Sequence, residues 1–207
     1  MKKRILVSAS LFHALTDAAT IVTPTIFPIL YSQAFLIRKY SQIGLLSNLG
    51  LITTLLLQFW VVRLSFKYEY KWLMLISGLG IALANFLIPL AQSFSLLLLL
   101  YIFLRAVTSF YHPVVIAWIS RSRTGSGQEL DDAMGIQSGS GNLGALVAFI
   151  TTGYLAQHFG WKTPLYLWSL ISLVMTAAGV SVINRVSSRQ EIKPDLSAAS
   201  WATVLKR

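Results

Sequence analysis

The chain has 207 residues, of which 55% are hydrophobic and 12% charged, against about 25% charged in an ordinary soluble domain. That scarcity of water-facing side chains, with a mean hydropathy of +0.66 and no cysteine, excludes a disulfide or thiolate-metal scaffold and points to the bilayer as solvent. The net charge of +10 does not mark a nucleic-acid binder, because Lys and Arg stand in short clusters between long uncharged runs, not interleaved with aromatics on one face.

A spanning helix needs roughly 20 predominantly apolar residues. Six stretches meet that need and predict an all-α, polytopic membrane protein. The first, 5–31, follows Lys2-Lys3-Arg4 and carries Asp17 and two prolines; it is too long for a signal-peptide core. The second, 40–63, is uncharged until Arg63. From Trp72 to Ser120 only Arg105 is charged, which suits two spans, 72–91 and 94–120, with Pro89, Gln92 and Ser93 at the hairpin. Spans 133–156 and 163–183 complete the set, and 184–207 is a polar linker. In that linker Trp201, Val204 and Leu205 share a face at helical spacing, which fits a short helix lying at the membrane interface and equally a frayed tail.

Loop charge then sets orientation. With the amino terminus inside, thirteen Lys and Arg fall on the cytoplasmic side and three (Arg38, Lys39, Lys162) outside, the asymmetry expected of a multi-pass protein with both termini cytoplasmic. Trp60, Trp72 and Trp118 fall near predicted inner ends and Trp161 near an outer one, as an aromatic belt requires.

The residues that the bilayer penalises carry the functional argument. An ionised side chain at a helix centre costs roughly 2.5–3.5 kcal/mol on insertion scales and is a functional-site hypothesis by default. There are four: His13 and Asp17 in the first span, Arg105 and His112 in the fourth. Residues four or seven apart share a face of a continuous helix. Depths counted at about 1.5 Å per residue put Asp17 beside Arg105 near the midplane, and His13 beside His112 nearer the cytoplasm. The expected site is an Asp17–Arg105 ion pair facing a water-accessible cavity with the two histidines below it; a packing-only ion pair is the competing reading. Two imidazoles without further ligands make a poor metal site, so neither metal nor cofactor is expected. Pro24, Pro28 and Pro113 predict kinks in the first and fourth spans.

The fifth span is dense in small residues, which let helix backbones approach closely in lipid. Gly135 and Gly139 form one pair; Ser140, Gly144 and Ala148 form a longer stripe; Gly78, Gly80 and Ala82 play the same part in the third span. Gln137 and Asn142 need partners in lipid and are candidates for a polar cavity wall. Ser138 and Ser140 among glycines lack the strand-to-helix turn that a hydrolase elbow requires, and no zincin motif occurs, so no enzyme is expected.

These residues resemble a known family. Six spans with cytoplasmic termini resemble the amino-terminal six-helix half, a 3+3 repeat, of a major facilitator superfamily transporter. His158-Phe-Gly-Trp161-Lys-Thr-Pro-Leu-Tyr-Leu-Trp168 looks like that family's opening of helix six, and Ser41-Gln-Ile-Gly-Leu-Leu46 like its opening of helix two. Phe12-His13, Thr16-Asp17, Tyr111-His112-Pro113 and Gly141-Asn142-Leu-Gly144 resemble the fosmidomycin-resistance type of efflux protein.

The resemblance implies that the first and fourth helices line a central cavity. It implies a proton-coupled secondary transporter of a small molecule, of efflux type, in the inner or plasma membrane. It also implies a second six-helix half or a homodimer partner, since the substrate site lies between two bundles. Two positions depart from the family pattern. Val62 and Phe66 stand where its second loop has Gly and Asp, and Ala148-Phe149 stands where its fifth helix has Gly-Pro. They keep open a membrane scaffold without a transport cycle, or an inactive fragment.

Overall fold

In the computed structural model the described residues are 3–121 and 127–184, and among them every regular element is helical. Seven α-helices follow in order: α1 Lys3–Ser32, α2 Tyr40–Lys67, α3 Tyr70–Leu87, α4 Phe94–Thr108, α5 Tyr111–Arg121, α6 Gly127–Phe159 and α7 Lys162–Asn184. The expected interfacial helix around Trp201, and Arg123 of the fourth loop, lie outside the described residues.

The helix ends follow local chemistry. Gln42, at the third position of α2, accepts from the backbone N–H groups of Arg38 and Lys39 at 2.7 and 3.0 Å, one half of a capping box. Ser93 caps α4 by accepting from Leu96 N–H at 3.2 Å. α3 tightens into a 3-10 turn, Ile88–Leu90, where Pro89 sits at its start. Gly160 ends α6 with φ of +87°, the left-handed conformation that glycine adopts without a Cβ clash.

Five segments are long and apolar enough to cross a membrane: Lys3–Ser32, Tyr40–Lys67, Tyr70–Leu90, Phe94–Ile119 and Lys162–Ile183. α6, at 33 residues, has the length, but glycines, Gln137 and Asn142 dilute its apolar character. It packs chiefly on α1, α3 packs chiefly on α7, and α2 on α4. Each first-half helix thus takes a second-half partner, and the result is one all-α membrane bundle. α1 is the central element: Ala9, Phe12, Leu15, Ala18, Val22, Ile26 and Leu30 are all buried along it. The outer surface is apolar, with Leu51, Leu55, Leu56 and Phe59 exposed on α2 and Leu143, Leu146, Phe149 and Ile150 on α6. Such an area of exposed hydrocarbon fits lipid and not water.

Small residues set the close contacts, though not all those expected. A Cβ at Gly144 would collide with the backbone of Ala14 on α1, and one at Gly78 with Thr176 on α7. Ser140 donates to Ser10 carbonyl at 3.1 Å and Ala148 is fully buried, so the expected Ser140–Gly144–Ala148 stripe meets α1. Gly135 and Gly139 face open space, where an added Cβ would meet nothing within 4 Å. The buried face of α6 runs through Ala133, Gln137, Gly141, Ala148, Thr152 and Ala156, and positions two residues off that line point away from it.

The fourth span is two helices, α4 and α5, parted at Ser109 and Phe110. Pro113 has no N–H to offer Ser109 carbonyl, and its ring crowds that carbonyl. Thr108 and Ser109 turn their hydroxyls back onto Arg105 and Ala106 carbonyls at 3.1 and 2.6 Å. α1, by contrast, remains one helix through Pro24 and Pro28.

Candidate functional site

Asp17 stands about 21 Å along α1 from Lys3, counted at 1.5 Å per residue, close to the middle of the helix. Two histidines converge on its carboxylate. His13, one turn away on the same helix, brings Nε2 to 3.2 Å from Asp17 Oδ2. His112, near the start of α5, brings Nε2 to 3.7 Å from Asp17 Oδ1. The side chain of His13 is 9% exposed, that of Asp17 24% and that of His112 41%, so the cluster is closed at His13 and open at His112.

His13 is held on several sides. Its Nδ1 lies 2.8 Å from the carbonyl oxygen of Gln137. A carbonyl can only accept, so Nδ1 carries the hydrogen. The ring stacks on Tyr111, centroids 4.8 Å apart, and meets the His112 ring edge-on at 5.1 Å. Tyr111 is fully buried; its hydroxyl donates to Ala9 carbonyl at 2.7 Å and accepts from Gln137 Nε2 at 2.7 Å. Gly141 of α6 closes the remaining side: a Cβ there would come within 2.5 Å of Asp17 Oδ2 and 2.7 Å of His13 Nε2.

This geometry fixes an unusual contact. With Nδ1–H committed to Gln137, His13 Nε2 faces a carboxylate oxygen. Two bare lone pairs at 3.2 Å repel, so a proton or another cation must lie between them. His13, Asp17 and His112 together offer two imidazole nitrogens and one carboxylate oxygen, all within 4.8 Å of one another. The sequence reading paired the histidines without a third ligand; the fold supplies it in Asp17.

Arg105 is not part of this cluster. Its Nε points at Gly50 carbonyl on α2 at 3.5 Å, and its side chain packs where a Gly50 Cβ would stand. Among the described residues the charged contacts of Asp17 are the two histidines, and the expected Asp17–Arg105 pair does not form. α4 and α5 part at Ser109 and Phe110, between Arg105 and His112, and Arg105 packs toward α2. Gln137 is buried at 3% exposure and braces Tyr111, whereas Asn142 is exposed and stands outside the cluster.

A bundle of apolar helices around a midplane polar cluster is an arrangement of transporters, and the sequence agrees. The family model of the Major Facilitator Superfamily matches residues 9–207. The chain belongs to the major facilitator superfamily. No curated protein matches it. As a superfamily member it is a multi-pass membrane protein of the transporter class, and the cluster lies on the two spans, α1 and α4–α5, that the resemblance assigns to a central cavity.

Two of the residues that shape this superfamily member's site escaped the sequence reading. Tyr111 and Gly141 figured only inside motifs of the family resemblance, with no part in the site assigned to them. One signal was available: Gln137 and Gly141 follow Ala133 at four-residue steps, and the later buried residues Ala148, Thr152 and Ala156 resume seven residues on, which puts an amide and a bare backbone on the face that meets α1.

Proposed function

We propose that this chain is one six-helix bundle of a secondary transporter that exports a small solute in exchange for protons, with His13, Asp17 and His112 as its protonation centre. The observation that carries the reading is the acceptor-to-acceptor contact of His13 Nε2 with Asp17 Oδ2 at 3.2 Å, which requires a proton when no other cation is present. Loss of that proton would set two lone pairs against each other beside a packed Gly141, a difference between protonated and deprotonated states that can bias one arrangement of the bundle over another. His112, more open than His13, is the side on which the centre exchanges its proton with water. Tyr111 and Gln137 hold the His13 ring and its tautomer. A second six-helix half, or a second copy of the chain, would complete the substrate site, and a cytoplasmic-side amino terminus follows from loop charge. Export in particular is inherited from the efflux proteins that the motifs resemble.

The test is reconstitution in proteoliposomes that hold a pH-sensitive dye, challenged with a panel of small solutes. A solute-evoked proton flux that falls at least tenfold in Asp17→Asn is the expected result. Solute movement that persists unchanged in that variant sinks the proton role. A chain that moves nothing yet keeps a stable protein partner is a scaffold.

A further inference from the structure

We propose that His13, Asp17 and His112 form a binding site for a divalent first-row transition-metal ion of the zinc and cobalt class. This goes beyond the transport reading, since a cation can bind there whether or not it is carried.

The argument starts from charge. Asp17 lies in the middle of a membrane-spanning helix, and its charged contacts among the described residues are two imidazoles. A carboxylate at that depth is costly without a cation, and the guanidinium of Arg105, directed to Gly50 carbonyl, does not supply one. The donor set comes next. Two imidazole nitrogens and one carboxylate oxygen are the ligands of open zinc sites, which leave a further position for water or substrate. Oxygen-rich sites suit magnesium and calcium, while imidazole selects later transition metals. Around a tetrahedral ion with bonds of about 2.0–2.2 Å, adjacent ligand atoms stand about 3.3–3.5 Å apart. His13 Nε2 stands 3.2 Å from Asp17 Oδ2 and His112 Nε2 3.7 Å from Asp17 Oδ1, and one ligand atom from each residue lies within 4.8 Å of the others. The two rings therefore need to draw in by only about 1 Å to close on such an ion.

The surroundings are built for a ligand as well. A metal-bound histidine normally gives its other ring N–H to a carbonyl or carboxylate, which fixes the tautomer and aims the free nitrogen. His13 does this, with Nδ1–H donated to Gln137 carbonyl at 2.8 Å, so that Nε2 presents its lone pair to the cluster. The Tyr111 hydroxyl is already committed to Ala9 and Gln137 and adds no ligand. Gly141 leaves the face beside Asp17 Oδ2 and His13 Nε2 without a side chain.

The chain has three histidines, and the third, His158, is exposed at the far end of α6, where it packs on Tyr154; it serves as the internal control. The experiment is Co²⁺ titration of the full chain in detergent with any affinity tag removed, followed by visible absorbance and by calorimetry. One Co²⁺ per chain is expected, with affinity at least tenfold weaker in Asp17→Asn and in His112→Gln and unchanged in His158→Gln. Thermal melting of each variant checks folding, and the half-open His112 is the position whose variant folds most readily. Failure to bind Co²⁺ at millimolar concentration overturns the proposal. So does binding that ignores Asp17→Asn and His112→Gln, or that is lost in His158→Gln. The proteoliposome assay separates the two readings: Co²⁺ binding without any flux leaves the metal site standing and the transporter reading fallen, and Asp17-dependent flux without Co²⁺ binding does the reverse.

Discussion

Gly141 and Gly139 are two residues apart, and their substitutions should act in opposite directions. At Gly139 a Cβ meets nothing within 4 Å, so alanine only removes glycine's helix penalty, worth about 1 kcal/mol. At Gly141 the same methyl enters the space between His13 and Asp17. The His13 ring cannot retreat without giving up Tyr111 and the Gln137 carbonyl, and overpacking of this kind costs about 1–3 kcal/mol. Thermal unfolding in detergent should therefore show Gly139→Ala at or above the parent midpoint and Gly141→Ala below it. Equal midpoints would mean that α6 does not press on the cluster as described. The carboxylate gives a second comparison. Because Arg105 turns to α2, exchanging charges through Asp17→Arg with Arg105→Asp should rescue neither stability nor activity lost in the single variants; rescue would place the guanidinium on Asp17 after all. The four ionisable residues were legible in the sequence because the bilayer makes such residues rare. Their partners were not, since Arg105 and His112 had to be placed by counting along an assumed straight helix.

That assumption failed at one element. Composition could locate the span 94–120 but could not say that it divides at Ser109, because proline inside a membrane helix is compatible with a kink, a break or neither. α1 and the fourth span show two of these outcomes: α1 continues through Pro24 and Pro28, while α4 and α5 separate four residues ahead of Pro113. His112 meets Asp17 from the α5 side of the break, and Arg105 packs against Gly50 from the α4 side. Pro113→Ala restores the missing donor, and should favour a continuous helix that carries His112 out of its present position. We expect the variant to match or exceed the parent in thermal midpoint while losing at least tenfold in solute-evoked proton flux. A variant that keeps full flux would show that the break does not place His112. On α6 the sequence pattern was richer than it looked. The buried line of four- and seven-residue steps from Ala133 through Ala156 was present in the residue types, but glycines on every face hid which of them was the contact line.

At the scale of the whole molecule, hydrophobic length located the bundle, because it depends on the solvent and not on side-chain detail, and from loop charge we propose the orientation with the amino terminus inside. Orientation matters to mechanism, since it decides from which side of the membrane the open face at His112 is reached. With the amino terminus inside, the α1–α2 and α3–α4 connections lie outside and the α2–α3 connection lies in the cytoplasm. The chain contains no cysteine, so a single introduced thiol reports its own location without background. Gln33, Gln92 and Glu69 are exposed residues in those three connections and make no described contact with the cluster. A membrane-impermeant maleimide added to intact cells should label Gln33→Cys and Gln92→Cys, and should label Glu69→Cys only after permeabilisation. The opposite pattern would invert the bundle and place His112, which lies on the α5 side of the break toward the α2–α3 connection, at the outer face. With the amino terminus inside, the inward-moving proton of such an exporter leaves through His112 to the cytoplasm; in the inverted bundle it would enter through His112 from outside, with the same three residues.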